Sequence, residues 1–300
     1  MDLRGKRAVV TGGSRGLGFA LARELRARGA RVAICARGEE QLSTARAKLG
    51  DDVVAIPCDV ADRDQVDAFL NEVGPVDVLV NNAGVIAVGP WQTQTVDDYR
   101  ELLDIHFFGV VHTTLAVLPS MIERGEGRIA NVTSIGGKVS VPWLLPYNAS
   151  KFAAVGFSEG LRAELAGTGV KVTTVVPGLM RTGSFLSAWF KGDRAPLEYG
   201  LFAPLSGTPA TTVSAERAAR RIVGAVRRGD AEVTLGLHAL LATRASALAP
   251  ATMQTVLGLV ARALPEVRGT QRTRGSDIDS PVDDLPLTGP GRRAAARLNQ

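Results

Sequence analysis

Apolar residues fall along this chain in two alternating rhythms. Short β-branched runs at 7–11, 31–36, 53–57, 76–81, 128–133 and 171–176 read as strands. Between them, 16–28, 61–73, 96–119 and 147–165 carry apolar residues at helical spacing. Strands alternating with helices predict a parallel sheet covered on both faces. A doubly wound α/β sheet of Rossmann-like form fits better than a barrel. Six strands precede residue 180, a further candidate lies at 232–235, and a glycine loop follows the first strand.

The rhythm stops from 179 to 212, a stretch holding Phe185, Trp189, Phe190, Tyr199 and Phe202, and a long insert of this kind predicts a substrate-binding segment. A helix at 215–228 resumes the pattern, so 1–235 reads as a dinucleotide-binding catalytic domain. Helical patterns at 237–248 and 250–264 extend it as 236–264. From 265 to 291 the chain is rich in Gly, Pro, Ser, Thr and Asp without periodicity, so 265–300 reads as a flexible tail with a short helix at 292–298.

Composition narrows the classes. With 45% hydrophobic and 22% charged residues the chain reads as an ordinary globular protein, and its 33 glycines follow no collagen-like period. Two cysteines, Cys35 and Cys58, build no disulfide framework and point to a reducing, cytoplasmic setting. The N-terminus lacks the apolar run of a secretory signal, and the uncharged stretch 245–261 is broken by Pro250, short of the ~20 apolar residues a span needs. The net charge of +5 is modest, and Arg217, Arg220, Arg221, Arg227 and Arg228 alternate with apolar residues as on a solvated helix face, so no nucleic-acid partner is expected.

The loop TGGSRGLG places Gly12, Gly16 and Gly18 between the first strand and its helix. There glycines let backbone approach a pyrophosphate, and the helix N-terminus supplies free N–H groups and positive dipole. At the end of the second strand Ala36 stands where an acid would hold ribose hydroxyls, and Arg37 follows it. Together with Arg15 it could hold a 2′-phosphate, which favours NADP over NAD. Glu39 and Glu40 are rival acids, but they fall where a helix begins.

Tyr147 and Lys151 are spaced i, i+4, so both project from one helix face. A phenol is a poor proton-transfer group at neutral pH, and a neighbouring ammonium lowers its pKa by stabilising phenolate. Chance places such a pair about 0.06 times in a chain of this composition.

TGGSRGLG at 11–18, CDV at 58–60, NNAG at 81–84, Ser134 in NVTSIGG, YNASK at 147–151 and PGLMRT at 177–182 together resemble the short-chain dehydrogenase/reductase family. The resemblance runs continuously from about Lys6 to Thr182. It implies Tyr147 as general acid for carbonyl reduction, Lys151 as the group that lowers its pKa and binds the nicotinamide ribose, and Ser134 as hydrogen-bond donor to the substrate oxygen. It also implies Gly12, Ser14, Arg15, Gly16, Leu17 and Gly18 around the phosphates, and Asp59 and Val60 at the adenine. Asn81, Ala83 and Gly84 would line the cofactor channel, and Pro177, Gly178 and Thr182 would hold the nicotinamide end. The family commonly has Asn in the middle of the fourth helix, and this chain has His106, which could relay protons through its imidazole or leave that role to its backbone carbonyl.

Trp143, Leu144 and Leu145, with the aromatic insert, would surround the nicotinamide and favour an apolar ketone, aldehyde or alcohol as substrate. His112 and His238 stand apart from carboxylates and cysteines, so no metal site is expected. A homo-oligomer is expected. Two other functions fit the same residues: a catalytically weak NADP-binding scaffold or redox sensor, and a membrane-associated lipid reductase anchored peripherally through 237–264.

Overall fold

A computed structural model describes residues 1–209, 211–285 and 288–300. The chain opens with β1 (Arg7–Thr11), α1 (Gly16–Ala27), β2 (Arg31–Ala36), α2 (Glu39–Leu49), β3 (Val54–Pro57), α3 (Arg63–Val73) and β4 (Val78–Asn81). A short β5 (Ala87–Val88) leads to α4 (Val96–Leu103), which runs through a π-helical turn at Asp104–Phe108 into α5 (Gly109–Glu123). Then come β6 (Gly127–Val132), α6 (Leu145–Glu164) and β7 (Val170–Pro177). These bounds lie within a few residues of those the sequence predicts.

With β11 (Glu232–Leu235) the long strands form one sheet in the order β11-β7-β6-β4-β1-β2-β3, parallel throughout. The order turns back between β1 and β4, and in such sheets a crevice opens at the carboxyl ends of the strands flanking that reversal. One sheet face is sealed by Leu21 and Leu25 of α1, Leu42 of α2, and Ile222 and Val226 of α9 (Ala215–Arg228). Val66 and Phe69 of α3, Val117 and Met121 of α5, and Leu165 seal the other. Both strand faces are therefore apolar, as a two-sided sheet requires. The continuous helix Val96–Glu123 is apolar and long enough to cross a membrane by length and composition, yet half of its apolar window lies inside the fold, where it serves as core.

The insert is folded rather than a loop. It contains β8 (Met180–Arg181), α7 (Ser184–Ser187), β9 (Trp189–Lys191) and α8 (Ala195–Gly207), and β10 (Val213–Ser214) pairs with β8. Phe185, Phe190 and Tyr199 make their own fully buried cluster, with ring centroids 5.5 Å apart for Phe190 and Tyr199. After α10 (Leu237–Leu248) and α11 (Pro250–Ala263), the expected flexible tail carries secondary structure among the described residues. It forms β12 (Arg272–Arg274), antiparallel to β9, and α12 (Gly289–Arg297). Val267 and Ile278 are buried as isolated anchors, and Gly291, Ala294, Ala295 and Leu298 make one buried face of α12 and its C-terminal cap, which the sequence pattern hides because three of its four residues are Gly or Ala.

Candidate active site

The loops after β1 and β4 are tied together beside the sheet's reversal. Thr11 Oγ1 accepts from the N–H groups of Asn82 and Ala83, and Asn82 Nδ2 donates to the carbonyls of Thr11 and Gly12. This approach leaves no room for side chains. Gly12 has φ +62°, and a Cβ there would stand 2.8 Å from Ala83 Cα; one on Gly18 would stand 2.0 Å from the Gly12 carbonyl oxygen. The loop is thus a cradle that only backbone can form, at the N-terminus of α1, where an anion gains from free N–H groups and the dipole.

A cavity of about 790 Å³ runs from this cradle to the ends of β6 and β7. Its volume and its mix of backbone donors and apolar walls suit a dinucleotide with a small substrate. Gly12, Ser14, Arg15, Gly16, Leu17, Gly18, Arg37, Asp59, Val60, Ala83, Gly84, Pro177, Gly178 and Thr182 all line it. Burial and the neighbouring charges of Arg274 and Arg37 push the Arg15 guanidinium pKa down, so cationic groups meet there and favour a bound polyanion. Asp59 stands 3.9 Å from Arg37, too far for a hydrogen bond.

At the other end, β6 stops at Val132, and two residues on, the Ser134 hydroxyl accepts from the Gly136 N–H at 3.0 Å. Tyr147 and Lys151, a turn apart in α6, face the same space, with Lys151 Nζ 5.7 Å from the Tyr147 ring centroid and donating to the Val132 carbonyl. Burial raises the Tyr147 phenol pKa, opposed by its hydrogen bond with Ser134, and burial lowers the Lys151 ammonium to about 8. The sequence predicts a phenol lowered by Lys151. Here the ammonium bonds a carbonyl instead and desolvation dominates.

His106 sits in the π-helical turn, a local widening in which Gly109 N–H donates to the Asp104 carbonyl five residues back. Its Nε2 accepts from the Val85 N–H at 3.0 Å, so Nδ1 carries the proton and donates to Ser150 Oγ at 2.8 Å. Ser150 in turn donates to the Tyr147 carbonyl. Both ring nitrogens are engaged, and burial together with the Lys151 charge pushes the imidazole pKa well below its ordinary value. The ring meets that of Tyr147 edge-on at 5.4 Å.

Two expectations are corrected. Asn81 does not face the cavity: its side chain cross-links the buried strand ends, donating to Thr114 Oγ1 and Asn131 Oδ1 and accepting from Thr113 Oγ1. Of the aromatic insert, Phe202 reaches the cavity, while Phe185, Phe190 and Tyr199 pack on one another and Trp189 lies under the Arg272 guanidinium at 4.3 Å. Trp143 and Leu144 do line it, and Leu145 is exposed. Trp143 holds φ +66°, a strained conformation for a bulky residue costing about 1–3 kcal/mol, with its carbonyl held by the Gly89 N–H. Arg274 and Glu198 also line the cavity. Sequence reading misses both, one because it lies in the apparent tail and the other because nothing in its local pattern marks it.

Comparison with known proteins agrees with this geometry. The family described as short chain dehydrogenase matches residues 6–189. Ketoacyl reductase HetN of a Nostoc species is 37% identical over 183 residues, which cover 59% of this chain and 64% of that protein. The crystal structure of a short-chain dehydrogenase from Streptomyces avermitilis superposes with TM-score 0.75 at 33% identity, covering 88% of this chain and 99% of the other. A short chain dehydrogenase from Burkholderia cenocepacia in complex with NADP gives TM-score 0.71 at 29% identity, covering 86% and 99%. A motif set in order, a sheet reversal with its glycine cradle and a matching family over more than half the chain agree: the protein belongs to the short-chain dehydrogenase/reductase family.

Proposed function

We propose that the protein is an NADPH-dependent oxidoreductase that interconverts a ketone or aldehyde, apolar around the reacting carbon, and its alcohol. The observation that carries this reading is the convergence of Ser134, Tyr147 and Lys151 on the cavity that also holds the glycine cradle. When bound, the nicotinamide supplies or accepts the hydride. Ser134 orients the carbonyl oxygen, and Tyr147, kept protonated by burial, delivers its proton to that oxygen as negative charge develops. Lys151 places a positive charge beside the phenol and stabilises the phenolate left behind. Trp143, Leu144 and Phe202 exclude water from the reacting carbon. Arg15, Arg37 and Arg274, with no acid at Ala36, support NADPH over NADH. The free cysteines support a cytoplasmic setting.

NADPH consumption with a panel of ketones and aldehydes tests the reading. Tyr147→Phe should lower turnover at least ~100-fold with NADPH affinity nearly unchanged, and Arg37→Asp should shift binding preference toward NADH. Substantial turnover by Tyr147→Phe would overturn it. A second reading, a substrate drawn from a lipid surface, rests on α10 and α11: Leu241 and Leu248 are 60% and 86% exposed, and Val260 of α11 also lines the cavity. Flotation with anionic vesicles, with and without residues 237–264, decides that question.

A further inference from the structure

The wall of the cavity is not wholly apolar. Glu198, in the first turn of α8, lines it beside Leu201, Phe202 and Leu205. Its side chain is fully buried, and neither carboxyl oxygen meets a donor at good hydrogen-bond geometry among the described residues, although the Lys191 backbone N–H exerts a hydrogen-bonding pull on the group. An acid in a first helical turn ordinarily serves the dipole from the surface as a carboxylate. Here burial, with the nearby Asp193 charge, raises the group to about 8 against the pull of the Lys191 backbone, so at neutral pH it is a carboxylic acid. The Lys191 ammonium cannot neutralise it, because that side chain is paired in the interior with Asp98. A buried polar group is costly to keep unpaired, and here an open cavity adjoins it.

We propose that Glu198 is a specificity-determining residue that pairs with a neutral hydrogen-bonding group, a hydroxyl or carboxamide, on the substrate away from its reacting carbonyl. A protonated carboxyl offers one donor and one acceptor, and these groups offer the reverse set. The inference rests on reading the cavity as a carbonyl-reduction site and refines its substrate class: an apolar carbonyl compound with a second, polar end. A site built to bond such a group discriminates against the analogue lacking it, because the buried carboxyl is then left unpaired.

The test uses matched methyl ketones of six to twelve carbons ending in methyl, hydroxyl, carboxamide or ammonium, represented at eight carbons by octan-2-one, 8-hydroxyoctan-2-one, 7-oxooctanamide and 8-aminooctan-2-one. Each is measured by NADPH consumption and by calorimetric binding to NADP⁺-loaded protein. The wild type should favour hydroxyl and carboxamide ends over methyl by about fivefold or more in affinity and kcat/KM. Glu198→Gln, which keeps a donor and an acceptor, should preserve the preference, and Glu198→Leu should reverse it. Equal affinities for methyl and polar ends, a preference unchanged in Glu198→Leu, tightest binding of the ammonium end, or no binding of any polar-ended ketone would each overturn the proposal. Glu198-dependent binding without turnover would leave it standing and sink the carbonyl-reduction reading instead.

Discussion

Lys151 is buried and Tyr147 half-buried, and desolvation moves the ammonium down to about 8 and the phenol up. At neutral pH both are protonated, so the phenol is loaded to donate and the charge that steadies its phenolate is present. As pH rises through about 8 the lysine loses that charge, and carbonyl reduction should fall with an alkaline limb near pH 8. Lys151→Arg should shift the limb to higher pH in kcat/KM profiles; a flat wild-type profile to pH 10 would exclude this assignment. His106 behaves oppositely to a titrating relay. Its folded pKa lies well below the ordinary imidazole value, so the unfolded chain takes up a proton first as pH falls. His106 should therefore cost up to about 1.4 kcal/mol of stability per pH unit below about 6.5, down to its folded pKa. Urea melts of wild type against His106→Gln, from pH 7 to pH 4.5, measure this, and identical pH slopes would rule it out. The ring's nitrogen chemical shifts should show a neutral Nδ1–H form throughout pH 6–8.

The π-helical turn at Asp104–Phe108 ties His106 to the loop after β4, and Gly84 is where the two elements nearly touch. A Cβ on Gly84 would lie 3.0 Å from His106 Nε2 and 3.7 Å from Lys151 Nζ. Gly84→Ala should press the imidazole off its bond to Val85 and cut turnover about 10-fold, comparable to losing a hydrogen bond in a buried network. Gly84→Ala with His106→Ala should lose less than the two single losses combined, since the small residue removes the clash; strict additivity in the double-mutant cycle would refute the contact. Elements of this kind divide what a sequence shows from what it hides. The glycine loop and the Tyr147–Lys151 pair are legible because their chemistry is local: backbone approach demands glycine, and one helix face demands the four-residue spacing. The π-helical turn leaves no such mark, since the tertiary bonds of His106 to Val85 and Ser150 accompany it within a helix whose apolar pattern reads as plain α. Glu198 is hidden for the same reason: its burial depends on how α8 packs, and its position alone suggests an ordinary surface acid.

At the scale of the whole molecule, residues distant in sequence close over the glycine loop. The Leu298 carbonyl accepts from the Gly16 N–H at 2.8 Å, and Asn299 Nδ2 donates to the carbonyls of Ser14 and Gln41, so the segment after α12 braces the loop and α2 together. Ala294 and Leu298 enter the same core as α1 and α9, and Gly291 comes so near Phe185 that a Cβ there would lie 3.0 Å from its ring. Removing 289–300 strips these contacts from two cores at once. Burial of Leu298 with two alanines is worth about 3–4 kcal/mol by transferred apolar area, a large share of a domain's net stability. The shortened chain should melt several degrees lower. It should still bind NADPH below its transition, because the arginines and the remaining loop N–H groups do not depend on α12. Scanning calorimetry with and without NADPH checks both halves. An unchanged melting temperature would show that the segment does not brace the loop in solution. A lower one with NADPH binding abolished in folded protein would make residues 289–300 part of the cofactor site itself.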